Sequence, residues 1–568
     1  MKISSAVNFF FFLAVFVFWV FFYPNHILFT EQLSFFLYTS DFWNQYSLQP
    51  SGWSAYCGNF LAQFYFNRWT GALIQTLFLA ALLFTSNRIL LKMKIQGALL
   101  LIGVLPAILL TALQFDHRFA PGDALTLICP FALTFLYMSM SNVWFRRVLF
   151  TLMIVPVYLF CGAAATCILY AVCMLYELWN AKDAWKYATP VWLIITVFLP
   201  KCWQSVYLTS DPALFKILTF APADAMKYVP LLLLAFIPFC VLAVGIFRVQ
   251  RWVTTGKSFF VIGFLLLAGC GYYLFPKTFS RLREQKFGMS MAAAQDDWDQ
   301  ILKIAKQVKT PDMHTIYFTN LALSMKGELP QKMFQYPQTD ISGLTLPRVS
   351  DDFNLLYGSE FYYRIGILNE AIHWIFDANT VRAGGMDYLT LTRLAAWNQE
   401  NGYEHLAAKY FDILGKTMRY RSYAKHRQKT LAPEKTKNTF PQTEFYVGGR
   451  EPMIDLAYHY ENNPENGMVI DYLLCCLLLK NELAKFLSVF SACYPAMPKK
   501  LPQTYQEAFL LLADMGKTDI RYFPIEEINK ARFRNFKALA DRKNNAELKK
   551  QFADTWWYNY HLLNSVSK

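Results

Sequence analysis

The sequence predicts an all-α protein: a polytopic transmembrane helical bundle over residues 1–275, followed by an α-solenoid of tetratricopeptide-like helical hairpins over residues 276–568. Apolar residues make up 55% of the chain and charged residues 17%, whereas soluble proteins average about 45–50% and about 25%. Up to about Phe275 the chain is apolar with isolated charges, and from Pro276 onward charges occur every few residues. We therefore expect the first part to lie in lipid and the second part in water. A repeated helical pattern predicts the solenoid in the second part.

Nine apolar runs in the first part are candidates to cross the hydrocarbon core, which takes about 20 residues. They cover residues 6–23, 70–86, 97–113, 124–140, 148–161, 163–179, 188–206, 228–247 and 258–275. The fifth and sixth runs come from dividing the stretch Val148 to Leu178 at Cys161-Gly162-Ala163, where we expect a tight turn. Without this division there would be eight spans, and the C-terminal half would lie in the cytoplasm.

The distribution of basic residues favours nine spans with a cytoplasmic N-terminus, because lysine and arginine are enriched in cytoplasmic loops. With nine spans the inner loops carry eleven of them: Lys2, Arg88, Lys92, Lys94, Arg146, Arg147, Lys182, Lys186, Arg248, Arg251 and Lys257. The short outer loops carry five: Arg68, Arg118, Lys201, Lys216 and Lys227. We therefore expect an inner-membrane protein with its C-terminal domain in the periplasm. Since part of the net charge of +14 lies in these loops, we expect no nucleic-acid partner.

The first outer loop contains a helix with an aromatic face. Its apolar residues recur at i, i+3, i+4, i+7, i+8, i+11 and i+12: Trp53, Tyr56, Cys57, Phe60, Leu61, Phe64 and Tyr65. This spacing places them on one side of a helix. Such a helix either lies along the bilayer surface or packs on the transmembrane bundle, and the sequence leaves both interpretations open.

The polar half contains two similar helical hairpins, over residues 355–378 and 391–414. Each has an alanine early in its second helix, Ala371 or Ala407, followed by apolar residues at i+4 and i+7. The two alanines are 36 residues apart, close to the period of about 34 of tetratricopeptide repeats. Small residues at the helix crossing are typical of such hairpins. The later part of the chain repeats the pattern more loosely.

The candidate catalytic residues are few. Asp116 and His117 stand side by side on the second outer loop, where an acid beside a histidine could transfer protons or bind a metal. A short loop between two spans also carries polar residues for solvation alone, and we expect neither a metal nor a cofactor. The first outer loop holds two more acids, Glu31 and Asp41.

An acid on the first outer loop, beside an interfacial helix, resembles the membrane glycosyltransferases that use lipid-linked sugar donors. The resemblance covers residues 1–275 loosely and implies that Asp41 acts as base or metal ligand, with a lipid-linked substrate. The paired-acid signature of those enzymes is absent, since Asp41 stands between Ser40 and Phe42.

Four segments also resemble a family of uncharacterised polytopic membrane proteins of Bacteroides-type bacteria, which implies the same architecture and no known activity. They are Gly58-Asn59-Phe60-Leu61-Ala62-Gln63-Phe64, Thr70-Gly71-Ala72-Leu73-Ile74, Asn463-Pro464-Glu465-Asn466 and Asp471-Tyr472-Leu473-Leu474.

From these features we expect a membrane-anchored scaffold whose periplasmic helical-repeat domain holds a protein or peptide partner, because solenoids offer extended concave surfaces. The alternative is the glycosyltransferase. Anchoring a scaffold needs one helix, so nine spans suggest that the membrane part has a role of its own. Transport is disfavoured because the spans contain few ionisable groups.

Overall fold

The computed structural model describes residues 2–208, 215–222, 224–247, 257–349, 351, 353–381, 385–429, 452–542 and 544–566. The described chain is all-α and contains no strand. It divides into two compact units: unit 1 comprises Met1–Glu284 and Gly415–Ser422, and unit 2 comprises Gln285–Leu414 and Tyr423–Lys568. The sequence placed the boundary after residue 275. No sequence pattern indicated that the short segment Gly415–Ser422 belongs with the N-terminal half.

Unit 1 is built from twelve described helices and the start of a thirteenth. They are α1 Lys2–Phe21, α2 Pro24–Gln32, α3 Ser40–Ser47, α4 Gly52–Ala62, α5 Arg68–Lys92, α6 Leu105–Gln114, α7 Pro121–Ser139, α8 Val143–Leu152, α9 Ile154–Asn180, α10 Pro190–Trp203, α11 Val229–Phe247, α12 Lys257–Thr278 and α13 Arg281–Ala294. Short 3₁₀ helices cover Gln63–Phe66, Gly97–Val104, Ala184–Ala188 and Asp224–Met226. The central packing is formed by α7 and α9, which contact each other and also α4, α5, α10 and α11.

Among the described residues, six helices are long and apolar enough to cross a membrane. They are Arg68–Lys92, Gly97–Gln114, Pro121–Ser139, Ile154–Asn180, Val229–Ile246 and Ser258–Thr278. A seventh span results if the bent pair Phe11–Phe21 and Pro24–Gln32, which meet at 67°, is counted as one. The chain therefore has the helices of a multi-pass membrane protein.

This count differs from the nine predicted spans at three places. The first predicted span lies on α1, which enters this count only as part of the bent pair. The fifth begins in α8 and continues into the first part of α9, and the sixth is the second part of α9, so the two together count as one helix here. The seventh corresponds to α10, whose 14 residues fall short of the roughly 17 that a span needs.

The break predicted at Cys161-Gly162-Ala163 is confirmed within α9, where Gly162 has a φ of 73° and a ψ of −178°. If α9 were straight, Glu177 would lie about 34 Å from Ile154, at 1.5 Å per residue. Helical chain between Arg147 and Ile154 rises only about 10 Å, yet Arg147 Nε donates to Glu177 at 2.9 Å. The Tyr170 hydroxyl likewise donates to the Phe150 carbonyl at 2.6 Å. The chain therefore folds back at Gly162.

The helix α4 packs on α7 through small residues, while Trp53 of its aromatic face packs on α9. Its buried residues Ser54, Gly58 and Ala62 are spaced four apart and form one stripe. Ser54 Oγ lies 2.7 Å from Thr126 Oγ1 on α7. Large residues of the predicted aromatic face, among them Phe60, remain partly exposed. Of the two interpretations left open by the sequence, packing on the bundle is observed for the small-residue face, while Tyr56 of the aromatic face contacts Phe36 and Trp43, with ring centroids 4.9 Å apart in each pair.

Unit 2 consists of the rest of α13 and fifteen further described helices. They are α14 Trp298–Ala305, α15 Met313–Met325, α16 Leu329–Lys332, α17 Asn354–Arg364, α18 Leu368–Val381, α19 Tyr388–Glu400, α20 Glu404–Gly415, α21 Arg421–Lys429, α22 Pro452–Asn462, α23 Gly467–Leu479, α24 Leu483–Cys493, α25 Gln503–Asp514, α26 Glu527–Asp541, α27 Asn545–Phe552 and α28 Trp556–Val566. Short 3₁₀ helices cover Met333–Gln335, Ile341–Gly343 and Ile520–Tyr522. The boundary helices α20 and α21 also contribute to Gly415–Ser422 of unit 1.

Successive helices of unit 2 pack as neighbours, among them the pairs α14 and α15, α17 and α18, α18 and α19, and α23 and α24. A buried ion cluster joins one hairpin to the next: Glu360 on α17 accepts from Arg364 Nε at 2.8 Å and from Arg393 Nη2 on α19 at 2.9 Å. Burial alone would raise the pKa of Glu360, but the two guanidinium groups outweigh it and lower this pKa.

Unit 2 also contains contacts between helices far apart in the sequence. The helix α23 packs against α15 and α16, and α25 packs against α16 and α28. The side-chain amide of Asn466 donates to the Ile365 carbonyl at 2.8 Å, and the Phe361 and Tyr472 rings lie 4.8 Å apart. Simple solenoids have contacts between neighbouring repeats only. The helical hairpins are thus present, while a tetratricopeptide-type solenoid is not confirmed.

The contact between α4 and α7 yields a stability prediction. A Cβ at Gly58 would lie 2.1 Å from the Gly122 backbone nitrogen, so Gly58→Ala requires the two helices to separate. We expect a loss of about 1–3 kcal/mol of stability, measured as a lower midpoint of thermal unfolding of the detergent-solubilised protein. Gly269→Ala is the control, because nothing lies within 4 Å of a Cβ there. Equal midpoints for the two variants would contradict the prediction.

Candidate functional site

The structure places the predicted residues Asp116 and His117 between α6 and α7, in a loop stabilised by its own side chains. Arg118 donates to the Asp116 carboxylate from Nε at 3.1 Å and from Nη2 at 3.0 Å. His117 Nδ1 lies 3.5 Å from Asp116 Oδ1. Burial alone would raise the pKa of Asp116, but the hydrogen bonds and charges of its neighbours outweigh it and hold this pKa below its usual range. Asp116 is thus a charged, ion-paired carboxylate.

A second histidine that the sequence analysis missed lies close to this loop. His26, on α2, is 2% exposed, and His117, Asp116 and Arg283 are near enough to act on it electrostatically. Its ring centroid is 5.0 Å from that of Tyr23. A local feature of the sequence could have identified His26. Pro24, two residues earlier, begins a helix directly after the first apolar run, and this helix brings His26 back towards the bundle.

The N-terminus of α2 is held by Glu284, from the start of α13. One carboxylate oxygen accepts from the Asn25 amide at 2.7 Å and the other from the His26 amide at 2.9 Å. Burial raises the pKa of Glu284 to about 7, although these two hydrogen bonds favour its charged form. We use the name histidine cluster for the set Tyr23, His26, Asp116, His117, Arg283 and Glu284.

Chemically, the histidine cluster can hold and exchange protons, since it combines two imidazoles with two carboxyls. It is also enclosed. Phe115 of the same loop is buried with Trp19 and Tyr23, and the Phe115 carbonyl accepts from Arg283 Nη1 at 3.3 Å. These contacts fix α2 and the Asp116 loop to the start of α13. A structural role accounts for every contact described.

The third predicted residue, Asp41, does not belong to the histidine cluster. It stands in the first turn of α3 and is exposed. Among the described residues, no hydrogen bond or ion pair joins Asp41 to Asp116 or to His117. Aromatic side chains surround this part of the loop: the Trp43 ring is 4.9 Å from that of Tyr56.

The neighbouring acid Glu31 has a different environment. It is 1% exposed and accepts from Arg419 at 2.8 Å and from the Tyr420 hydroxyl at 3.3 Å. Both partners belong to the segment Gly415–Ser422 of unit 1. In the same segment the Lys416 carbonyl accepts from the Tyr38 amide at 3.2 Å. Glu31 thus anchors a distant segment of the chain.

Another buried and paired carboxylate, Glu177, was not singled out from the sequence. Glu177, at the end of α9, is fully buried; it accepts from Arg146 Nε at 2.8 Å, from Arg147 Nε at 2.9 Å and from the Tyr137 hydroxyl at 2.8 Å. Both arginines also bind it through Nη2. A usable signal existed, because Glu177 is the sole charged residue in the apolar run from Val148 to Leu178.

Arg147 also binds Asp183, its Nη1 donating to Oδ1 at 2.7 Å. The hydrogen bonds and charge of Arg147 lower the pKa of this exposed carboxyl. Beside Arg147 lies a cavity of about 270 Å³ with mostly apolar walls. Neither Asp41 nor Asp116 lines it. In the described part of the chain, no three His, Cys, Asp or Glu side chains are grouped as metal ligands.

The raised pKa of Glu284 makes stability depend on pH. Its folded value of about 7 exceeds its ordinary value of 4.5, so Glu284 favours the folded state fully below pH 4.5 and this contribution is lost as the pH rises through 7. We expect Glu284→Gln to remove up to about 3 kcal/mol of this pH dependence. Chemical denaturation of both proteins between pH 4.5 and pH 8 measures it. Parallel stability curves would contradict the prediction.

The comparisons with known proteins give a family but no activity. The chain matches no curated protein and no solved structure. One family model covers residues 1–563, nearly the whole chain. The protein therefore belongs to the family of unknown function DUF6057.

Proposed function

We propose that this protein is an inner-membrane scaffold whose helical unit 2, on the periplasmic side, binds a protein or peptide partner. The membrane helices hold the platform, and the hairpins of unit 2 supply the binding surface. Tetratricopeptide-like stacking of these hairpins is part of the proposal, since such helices commonly present extended surfaces to partners.

The observation that carries the proposal is an exposed apolar stripe on α20. One face of this helix is buried through Ala407, Phe411 and Leu414. The stripe runs from Tyr403, the residue before the helix, which is 51% exposed, to Leu406 in its first turn, which is 45% exposed. A helix that packs one apolar face and exposes another has more apolar surface than its own fold uses, and such surface commonly marks an interaction site.

The stripe can be tested by photo-crosslinking in the intact membrane protein. A photoreactive amino acid at position 403 or 406 should yield one protein or peptide adduct of constant mass. The same residue at His405 or Asp412, exposed positions of the same helix, should not yield it, because neither position is three or four residues from 403 or 406 and both therefore lie off the stripe. Leu406→Asp should abolish the adduct from position 403 at unchanged protein level. The same adduct from all four positions would refute a defined binding surface.

A second candidate function is transfer of sugar from a lipid-linked donor, favoured by the position of Asp41. Its carboxylate is exposed at the start of α3, within a loop whose aromatic side chains, Trp43 among them, are partly exposed. An accessible carboxylate beside an aromatic surface suits a base that acts on a lipid-linked substrate at the interface.

Asp41→Asn tests the second candidate. Membranes containing the full chain would be incubated with a polyprenyl-phosphate-linked hexose, and consumption of the donor followed. Loss of a general base lowers the rate by about 10²–10⁴-fold, and Asp41→Glu should restore part of it. Asp224→Asn, at another exposed acid of unit 1, is the matched control. Donor consumption at the same rate in the Asp41→Asn and control membranes would exclude the role of Asp41.

A further inference from the structure

The cavity beside Arg147 lies where the hairpin formed by α8 and α9 ends. Its walls come from α8, from the 3₁₀ helix Ala184–Ala188 and from the start of α10. The lining residues are Trp144, Arg147, Val148, Thr151, Leu152, Trp185, Ala188, Thr189 and Trp192. Three tryptophans and three aliphatic residues make it apolar, and Arg147 is the charged residue of the lining.

The cavity has a buried wall on one side and an exposed wall on the other. Trp192 is 6% exposed and donates from Nε1 to Thr151 Oγ1 at 2.8 Å. Trp144 and Trp185 are 56% and 59% exposed, with ring centroids 5.5 Å apart. Tryptophans of this kind are enriched at the level of the lipid headgroups, and α9, a candidate span, ends close by at Asn180.

The charges around the cavity favour an anion. This region contains four basic residues and two acidic ones: Arg146, Arg147, Lys182 and Lys186, and Glu177 and Asp183. Glu177 is fully buried between the two arginines and cannot be displaced without unpairing them. Asp183, by contrast, has a side chain 41% exposed. An incoming phosphate could therefore take the place of Asp183 on Arg147 while Glu177 keeps the guanidinium oriented.

We propose that this cavity binds an anionic phospholipid, with the phosphate on Arg147 and part of one acyl chain packed against Trp144, Trp185 and Leu152. Arginine binds phosphate in a bidentate manner, and the tryptophan walls provide the apolar contact that a free phosphate would not use. Basic pockets between membrane helices are known to take lipid headgroups. The proposal commits to the lipid and is independent of the function proposed above.

The test uses the full chain, purified in detergent and incorporated in nanodiscs. Native mass spectrometry counts the retained phosphatidylglycerol against phosphatidylcholine. We expect retention of phosphatidylglycerol by the parent protein and about tenfold weaker retention by Trp185→Ala, since losing one aromatic contact costs about 1.4 kcal/mol. Asp183→Asn should strengthen retention, because it removes the carboxylate that competes for Arg147.

The matched control is Trp69→Ala, which removes another exposed tryptophan that, like Trp144, stands near an arginine side chain. It should retain phosphatidylglycerol like the parent protein. Addition of inorganic phosphate should not displace the lipid. Equal retention of the two lipids, displacement by inorganic phosphate, or unchanged retention in both Trp185→Ala and Asp183→Asn would each overturn the proposal. None of the variants removes a partner of Glu177, and Asp183→Asn leaves both hydrogen bonds from Arg147 to Glu177 in place.

Discussion

The pairing of Glu177 with Arg146 and Arg147 is the constraint around which the membrane part is arranged. A carboxylate without solvent contact needs compensating charge and hydrogen bonds, because an unpaired buried charge is very costly. Two guanidinium groups and the Tyr137 hydroxyl supply them here. These partners come from α7 and α8, so satisfying one side chain requires α7, α8 and the end of α9 to meet. The reversal at Gly162 is what allows that meeting.

The same principle recurs at Glu284 and Glu31. Glu284 satisfies two amides at the start of α2, and Glu31 receives Arg419 and Tyr420. Each carboxylate joins segments that are distant in the sequence. Between apolar helices in lipid, association depends on van der Waals packing, which by itself is weakly selective for one partner over another. Buried charges are therefore well suited to specify which of several apolar helices become neighbours.

The sequence predicts the features that arise locally. Apolar length predicts nine spans, and these include the six helices that could cross a membrane. Gly162 is identified as a break, and its backbone conformation is one that only glycine readily adopts. The aromatic spacing after Trp53 correctly predicts one face of α4. The small-residue face was not predicted, because the small size of Ser54, Gly58 and Ala62 matters only once a partner helix packs closely against them. The partners of Glu177 and Glu31 depend on tertiary contacts, which a period in the sequence does not encode. The same holds for the contacts of α23 with α15 and α16, which no repeat pattern predicts.

The segment Gly415–Ser422 has a consequence for how this protein can be divided. It belongs with the N-terminal unit, although the residues on both sides of it belong to unit 2. Cleavage after Glu284 would therefore leave the polar fragment still holding Arg419 and Tyr420, the partners of Glu31. Released alone, that fragment would expose the groups that normally satisfy a buried carboxylate, and the membrane fragment would retain Glu31 uncompensated. The two units are distinct in their packing, but no single cut separates them cleanly.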